Sequence, residues 1–110
     1  LSRTPRPTAI IAQSDLLALG VIRAAEELGL SVPDDLSVLG FDGVRIEGAA
    51  PHELTTLVQP AVDKGRAAGG AVIALLNGDR PEPSRFTSQL RIGTTTAPAP
   101  SSAAPSSGSA

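Results

Sequence analysis

Two short apolar runs, separated by one amphipathic segment and closed by a glycine, constrain this chain more than any other feature. Thr8-Ala9-Ile10-Ile11-Ala12 is apolar and partly β-branched, as suits a buried parallel strand. Ser14-Asp15 follows at once, and either residue can cap a helix N-terminus. From Leu16 to Leu28 the apolar positions Leu17, Val21, Ala24 and Leu28 recur every three to four residues, with Arg23, Glu26 and Glu27 on the other face. This spacing predicts a helix that turns those four residues toward the core. Gly29 ends it, with Pro33 just beyond, and Leu36-Ser37-Val38-Leu39-Gly40-Phe41 reads as a second strand. A strand–helix–strand unit forces its two strands to be parallel neighbours or near neighbours, so the expected class is α/β with parallel strands and flanking helices.

Beyond Asp42-Gly43 an irregular stretch runs to Glu53, and Leu54-Thr55-Thr56-Leu57-Val58 is again β-favouring. Pro60 suits the first turn of a helix, and residues Ala61 to Leu76 have helical composition up to the Asn77-Gly78 stop. Phe86, Ser88, Leu90 and Ile92 alternate with Thr87, Gln89 and Arg91, which predicts a last strand with unlike faces. Residues 1–7 read as an N-terminal stub of a truncated chain, since the first residue is Leu1 and not Met, and 8–96 as the folded part. From Ala97 to Ala110 only Ala, Pro, Ser and Gly occur, so this segment is expected to be a disordered tail.

Composition removes several kinds of chemistry. With no Cys and a single histidine, His52, the 110 residues cannot build a zinc finger, a thiol nucleophile or a disulfide framework, and no metal or cofactor is expected. Nine Lys and Arg against eleven Asp and Glu leave a formal charge of −2, which provides no field for holding DNA or an anionic membrane. Any contact with nucleic acid must come from residues outside this chain. The most apolar run, Ala67–Leu76, contains Gly69 and Gly70 and is far shorter than the ~20 residues of a membrane span.

Direction locates the candidate site, because open α/β sheets bind ligands beyond the carboxyl ends of their strands. Those ends are Gln13-Ser14-Asp15 and Asp42-Gly43, and parallel strands bring both to one edge. An ionised Asp42 can accept two hydrogen bonds, as adjacent hydroxyls of a sugar would offer, and Gly43 lets a ligand approach the backbone. Each has a plainer reading: capping alone explains an acid at Asp15, Ser14 is open between cap and ligand contact, Asp42-Gly43 is also a common turn, and Gln59 suits a solvated strand end. His52 has no sequence neighbour that would make it a general base and reads as an exposed loop residue. Gly65-Arg66-Ala67-Ala68-Gly69-Gly70 lacks the Lys-Ser/Thr ending of a phosphate loop and reads as close helix packing. Glu26-Glu27 reads as a solvated helix face and Asp34-Asp35 as a turn. No nucleophile–base pair is apparent, so an enzyme is not expected.

Taken in order, Pro7-Thr8-Ala9-Ile10, Ser14 through Gly20, Val32-Pro33-Asp34-Asp35-Leu36-Ser37-Val38, Gly40-Phe41-Asp42-Gly43, Leu54-Thr55-Thr56 and Gln59-Pro60 resemble the effector-binding domain of the lactose-repressor/galactose-repressor (LacI/GalR) family of bacterial regulators. The match runs from about Pro7 to Thr96, with several motifs at the correct spacing. The resemblance implies a periplasmic-binding-protein-like (type I) fold of two subdomains clasping a small ligand, of which this chain supplies the last third. It implies a repressor that responds to a sugar or related effector, acts in the cytoplasm as a homodimer, and reaches operator DNA through an N-terminal helix-turn-helix outside this chain. The helix from Asp15 and the Val44–Pro51 loop are then the expected dimer contacts. By the same resemblance Asp42 contacts effector hydroxyls or a purine edge, with Ser14, Asp15, Phe41 and Gln59 beside it. Ser14 replaces a frequent Asn, removing an amide that both donates and accepts. Phe41 is the one aromatic here placed to stack on a sugar ring. Gly93 stands where many members have an Arg, with Arg91 nearby. A periplasmic sugar-binding protein of an ABC transporter shares the fold and the Gly40–Gly43 pattern, and is the alternative expectation.

Overall fold

The computed structural model describes residues 1 and 4–101. Its elements run β1 (Ala9–Ile11), α1 (Asp15–Glu27), β2 (Ser37–Asp42), β3 (Thr55–Val58), α2 (Ala61–Leu76) and β4 (Gln89–Arg91). The sheet order is β1-β2-β3-β4. The expected strand–helix–strand unit is present: β1 pairs parallel to β2 with Ile10 opposite Val38, and β2 pairs parallel to β3 with Asp42 opposite Val58. Among the described residues two compact units divide the chain, 1–58 with 90–101, and 59–89.

In the first unit α1 packs on β2 around Ala12, Ala18, Ile22, Ala25, Leu36 and Val38. The buried helix face is Asp15, Ala18, Leu19, Ile22 and Ala25, and this corrects the expected stripe: Leu17 and Leu28 are both more than half exposed. Both stripes have helical spacing, so periodicity alone could not choose between them. The alanines decide the outcome, because small side chains let the helix approach the sheet while Ile22 fills the space between. The helix ends as expected, with Gly29 at φ 79° and Leu30 N–H donating to Ala25 C=O at 2.9 Å, a Schellman-type closure. Asp35 does form a turn, its Oδ2 accepting from Ser31 N–H at 2.8 Å. Within the expected stub, Arg6 donates to Asp35 C=O at 2.9 Å.

Thr95, in the segment after β4, stitches the sheet. Val38 N–H donates to Thr95 C=O at 2.8 Å, and the Thr95 hydroxyl donates to Val38 C=O at 2.7 Å while accepting from Thr55 N–H at 3.0 Å. Thr95 thereby continues the ladder below β3, and it is completely buried. The alternating segment from Phe86 to Ile92 forms strand only at Gln89–Arg91, all three exposed, so the longer strand expected there is corrected. Ala97 exchanges hydrogen bonds of 3.0 Å with the Ser37 hydroxyl, and the tail from 102 onward lies outside the described residues. In the second unit α2 has the expected bounds and no buried residue. A Cβ at Gly65, Gly69 or Gly70 meets no atom within 4 Å among the described residues, so the close packing expected of these glycines is not found.

Candidate functional site

The parallel register brings the ends of β1, β2 and β3 to one edge, where Ser14, Asp42 and Val58 lie. Ser14 is the N-cap of α1: its backbone is extended and its hydroxyl accepts from Leu17 N–H at 3.1 Å. Asp42 closes β2 with φ at 131°, the one non-glycine residue with positive φ among those described. Such a conformation costs on the order of 1–3 kcal/mol and persists only where surrounding structure enforces it. Gly43 follows at φ 82°, and a Cβ there would meet Val58 Cα at 2.8 Å, so both backbone and space require glycine. Phe41 is half-buried beside Asp42 and pairs with Leu57.

Asp15 is completely buried, and its carboxylate is occupied by the protein's own donors. Oδ2 accepts from Gly43 N–H and Val44 N–H, each at 2.8 Å, and Oδ1 accepts from the Thr56 hydroxyl at 2.6 Å. The expectation that Asp15 caps the helix is corrected, since Ser14 does so. In this structure the carboxylate has no exposed surface, and three of its roughly four lone-pair sites are filled by the protein's own donors. Gly40 explains how the carboxylate fits: a Cβ at that position would run into Asp15 Oδ1.

Gln59 directly follows Val58 and opens the second unit, where its side-chain oxygen accepts from Lys64 Nζ at 2.5 Å. His52 is not the exposed loop residue expected. Its side chain is 15% exposed, and Nε2 lies 2.9 Å from Glu26 Oε2 on α1. Glu26 is therefore paired, although it lies on the solvated face as read. Between α1 and the segment from Gly43 to Leu54 lies a hollow of about 910 Å³, lined by Leu19, Ile22, Arg45, His52 and Arg91. Gly93, on the same rim, donates its N–H to the Thr55 hydroxyl at 2.9 Å, and a Cβ there would run into Glu53 C=O, so backbone packing accounts for the glycine.

Residues 1–96 match the model of the periplasmic binding protein-like domain. The chain is 40% identical over 92 residues to the HTH-type transcriptional repressor PurR of Escherichia fergusonii, covering 84% of this chain and 27% of that protein. A LacI family transcriptional regulator from Bifidobacterium animalis subsp. lactis superposes with a TM-score of 0.79 at 34% identity, over 90% of this chain and 37% of that one. Another, from Lactobacillus casei with bound glucose, superposes with a TM-score of 0.69 at 30% identity, over 86% of this chain and 35% of that one. The chain belongs to the LacI/GalR family, as a part of its periplasmic-binding-protein-like effector domain. It spans between about a quarter and two fifths of the length of these relatives.

For a LacI/GalR domain segment, strand direction in the sequence is enough to put Ser14, Asp42 and Gly43 on one edge, but the contacts that hold them there have little local signal. Thr56 enters the sequence reading as a β-favouring residue and as part of the Leu54-Thr55-Thr56 family motif, and Thr95 has no reading of its own. Their signal was weak: a Thr-Thr pair inside an apolar strand, and three consecutive threonines, Thr94 to Thr96, just before the Ala/Pro/Ser tail. Among the described residues no group of three or more His, Asp or Glu could hold a metal ion, and no helix is long and apolar enough to cross a membrane.

Proposed function

We propose that the natural protein containing this chain is an effector-controlled bacterial transcriptional regulator, a repressor in the first instance, and that this chain supplies part of the pocket for a sugar or related small molecule. Asp42 accepts hydrogen bonds from ligand hydroxyls, Ser14 contributes its hydroxyl beside it, and Phe41 offers an apolar ring. Gln59, one residue past β3, enters by family resemblance alone. The observation that carries the reading is Asp42 itself, a carboxylate held at φ 131° on the sheet edge where such folds bind ligands. The glucose in the related regulator supports a sugar as the ligand class.

Ligand binding controls DNA only if the two arrangements of the subdomains differ in affinity for the ligand, so the pocket must be complete in one arrangement and incomplete in the other. The coupling is reciprocal: an effector that weakens operator binding is itself bound less tightly by the DNA complex. With a formal charge of −2 on this chain, the basic surface that meets DNA belongs to the N-terminal part of the whole protein. The protein acts in the cytoplasm as a homodimer, with α1 and the Val44–Pro51 loop as the contact. The transporter alternative is not retained, because the similar proteins compared are transcriptional regulators.

The test is release of operator DNA by the natural full-length protein over a sugar panel of D-glucose, lactose and cellobiose, with the purine guanine added. A response to one of these that Asp42→Ala abolishes, with operator affinity in the absence of ligand unchanged, supports the reading. An Asp42→Ala protein that responds like wild type to the same compound refutes it.

A further inference from the structure

We infer that Asp15 and Thr56 form a positioning pair for the ligand edge, the carboxylate of one and the hydroxyl of the other setting the backbone from which Asp42 projects. The inference deepens the reading of Asp42 as the effector contact and rests on it. It begins with the strain at Asp42. A non-glycine residue at φ 131° needs neighbours that over-determine it, and the two amides that follow are the ones fixed. Gly43 N–H and Val44 N–H converge on one oxygen, Asp15 Oδ2, at 2.8 Å each. Charge-assisted hydrogen bonds of this kind are roughly twice as strong as neutral ones, and two on one atom fix the direction of the chain and not merely its distance.

The clamp is itself anchored. Asp15 stands in the first turn of α1, so its Cα moves only with the helix, and the Thr56 hydroxyl holds Oδ1 at 2.6 Å from the neighbouring strand. Gly40, two residues before Asp42 on β2, supplies the space the carboxylate occupies. Buried Asp15, Gly40 and Thr56, with part-buried Gly43, thus form one contact in which β2, β3 and α1 meet directly behind the sheet edge. The side chains of Asp15 and Thr56 are themselves completely buried. The effect of this contact on binding passes through Asp42 alone, which separates it from a merely structural buried acid. A group that only holds the fold together, once weakened, lowers stability and leaves the geometry of Asp42 in the surviving folded molecules unchanged.

The experiment compares Thr56→Val, Thr56→Ser and Asp42→Ala with wild type in the natural full-length protein, selectively labelled at Asp, Gly and Val. Two readouts are independent of any ligand: amide exchange at Gly43 and Val44, and the Asp42 amide-to-Hα scalar coupling, which reports φ. The third is affinity for whichever of D-glucose, lactose, cellobiose or guanine the wild type binds. Thr56→Val is expected to speed exchange at both amides by about tenfold or more, to move the Asp42 coupling toward its ordinary strand value, and to weaken binding by at least about tenfold, as befits loss of a hydrogen bond to a charged group. Thr56→Ser keeps the hydroxyl and is expected to restore all three. Should Thr56→Val fail to fold, Asp15→Asn, which keeps the shape and removes the charge, takes its place with the same expectations. Wild-type coupling and exchange in a folded Thr56→Val or Asp15→Asn protein overturn the inference. Binding that survives Asp42→Ala while Thr56→Val still moves the Asp42 coupling overturns the effector reading instead and leaves the positioning of Asp42 standing. If no compound of the panel binds, the exchange and coupling readouts decide the positioning alone.

Discussion

Replacing Gly40 by alanine tests the packing behind the ligand edge with a single methyl group. A Cβ at residue 40 would run into Asp15 Oδ1 and would also meet Leu54 Cδ2 at 2.8 Å and Asp15 Cα at 3.3 Å. The side chain of Leu54 can swing aside, but the Asp15 backbone is held within α1 and its carboxylate within three hydrogen bonds. Overpacking a tight site costs about 1–3 kcal/mol. Displacing the carboxylate also gives up at least one hydrogen bond to a charged group, worth about 1.5–3 kcal/mol. The two overlap, since the shift that relieves the clash is the one that breaks the bond, so the expected loss is about 3 kcal/mol. With a urea dependence of about 1–3 kcal/mol per molar, the unfolding midpoint falls by roughly 1 M or more. Gly20→Ala is the control: inside α1, with no atom within 4 Å of the added Cβ, it should raise stability by about 0.5–1 kcal/mol. Opposite shifts in side-by-side urea titrations are the expected result. A Gly40→Ala protein whose midpoint equals wild type would mean that Asp15 does not lie over β2.

Other substitutions read other parts of the account. Thr95→Val strands the Thr55 N–H and the Val38 C=O in a buried site and should cost about 2–4 kcal/mol in chemical denaturation, whereas Thr95→Ser should cost much less; equal losses would remove the hydroxyl from the sheet ladder. Ser14→Ala loses the cap on Leu17 N–H and should destabilise by about 1 kcal/mol, with Ser14→Asp close to wild type in thermal unfolding. The contact of His52 Nε2 with Glu26 Oε2 is half exposed on the acid's side, so His52→Ala should change stability by less than about 1 kcal/mol; a larger loss would show that the loop before β3 depends on it. Gly93→Ala drives a methyl group into Glu53 C=O and should lower the denaturation midpoint, while Gly65→Ala in α2 should not.

The fold was legible where its causes are local. The apolar run before Ser14, the cap, the glycine stop after Leu28 and the second apolar run are all neighbours in sequence, and they specify a parallel β1–β2 pair without reference to anything distant. What was misread depends on partners far along the chain. The buried face of α1 was assigned one residue away from the true one, because two apolar stripes share that helix and only the sheet beneath chooses between them. Asp15 looked like a cap because capping needs nothing beyond its own helix. Its actual partners lie 28, 29 and 41 residues away at Gly43, Val44 and Thr56. Thr95 is further still from local explanation, bonded across 40 and 57 residues to Thr55 and Val38. The alternation from Phe86 to Ile92 satisfied a strand's period, yet only its middle is strand, since period describes side-chain faces and not the backbone partner a strand also needs. Ser14 and Asp42 fell between these cases: their place on the edge followed from strand direction, whereas the positive φ of Asp42 had no sequence signal beyond the glycine after it.

The central claim is that the edge formed by Ser14 and Asp42 holds a polyhydroxyl effector. Its most direct test is a crystal structure of the natural full-length protein with the compound that releases it from operator DNA. The account predicts ligand hydroxyls within about 3 Å of the Asp42 carboxylate oxygens, with Asp15 still buried and bonded to Gly43, Val44 and Thr56. A ligand seated elsewhere, with Asp42 making no contact to it, would contradict the account.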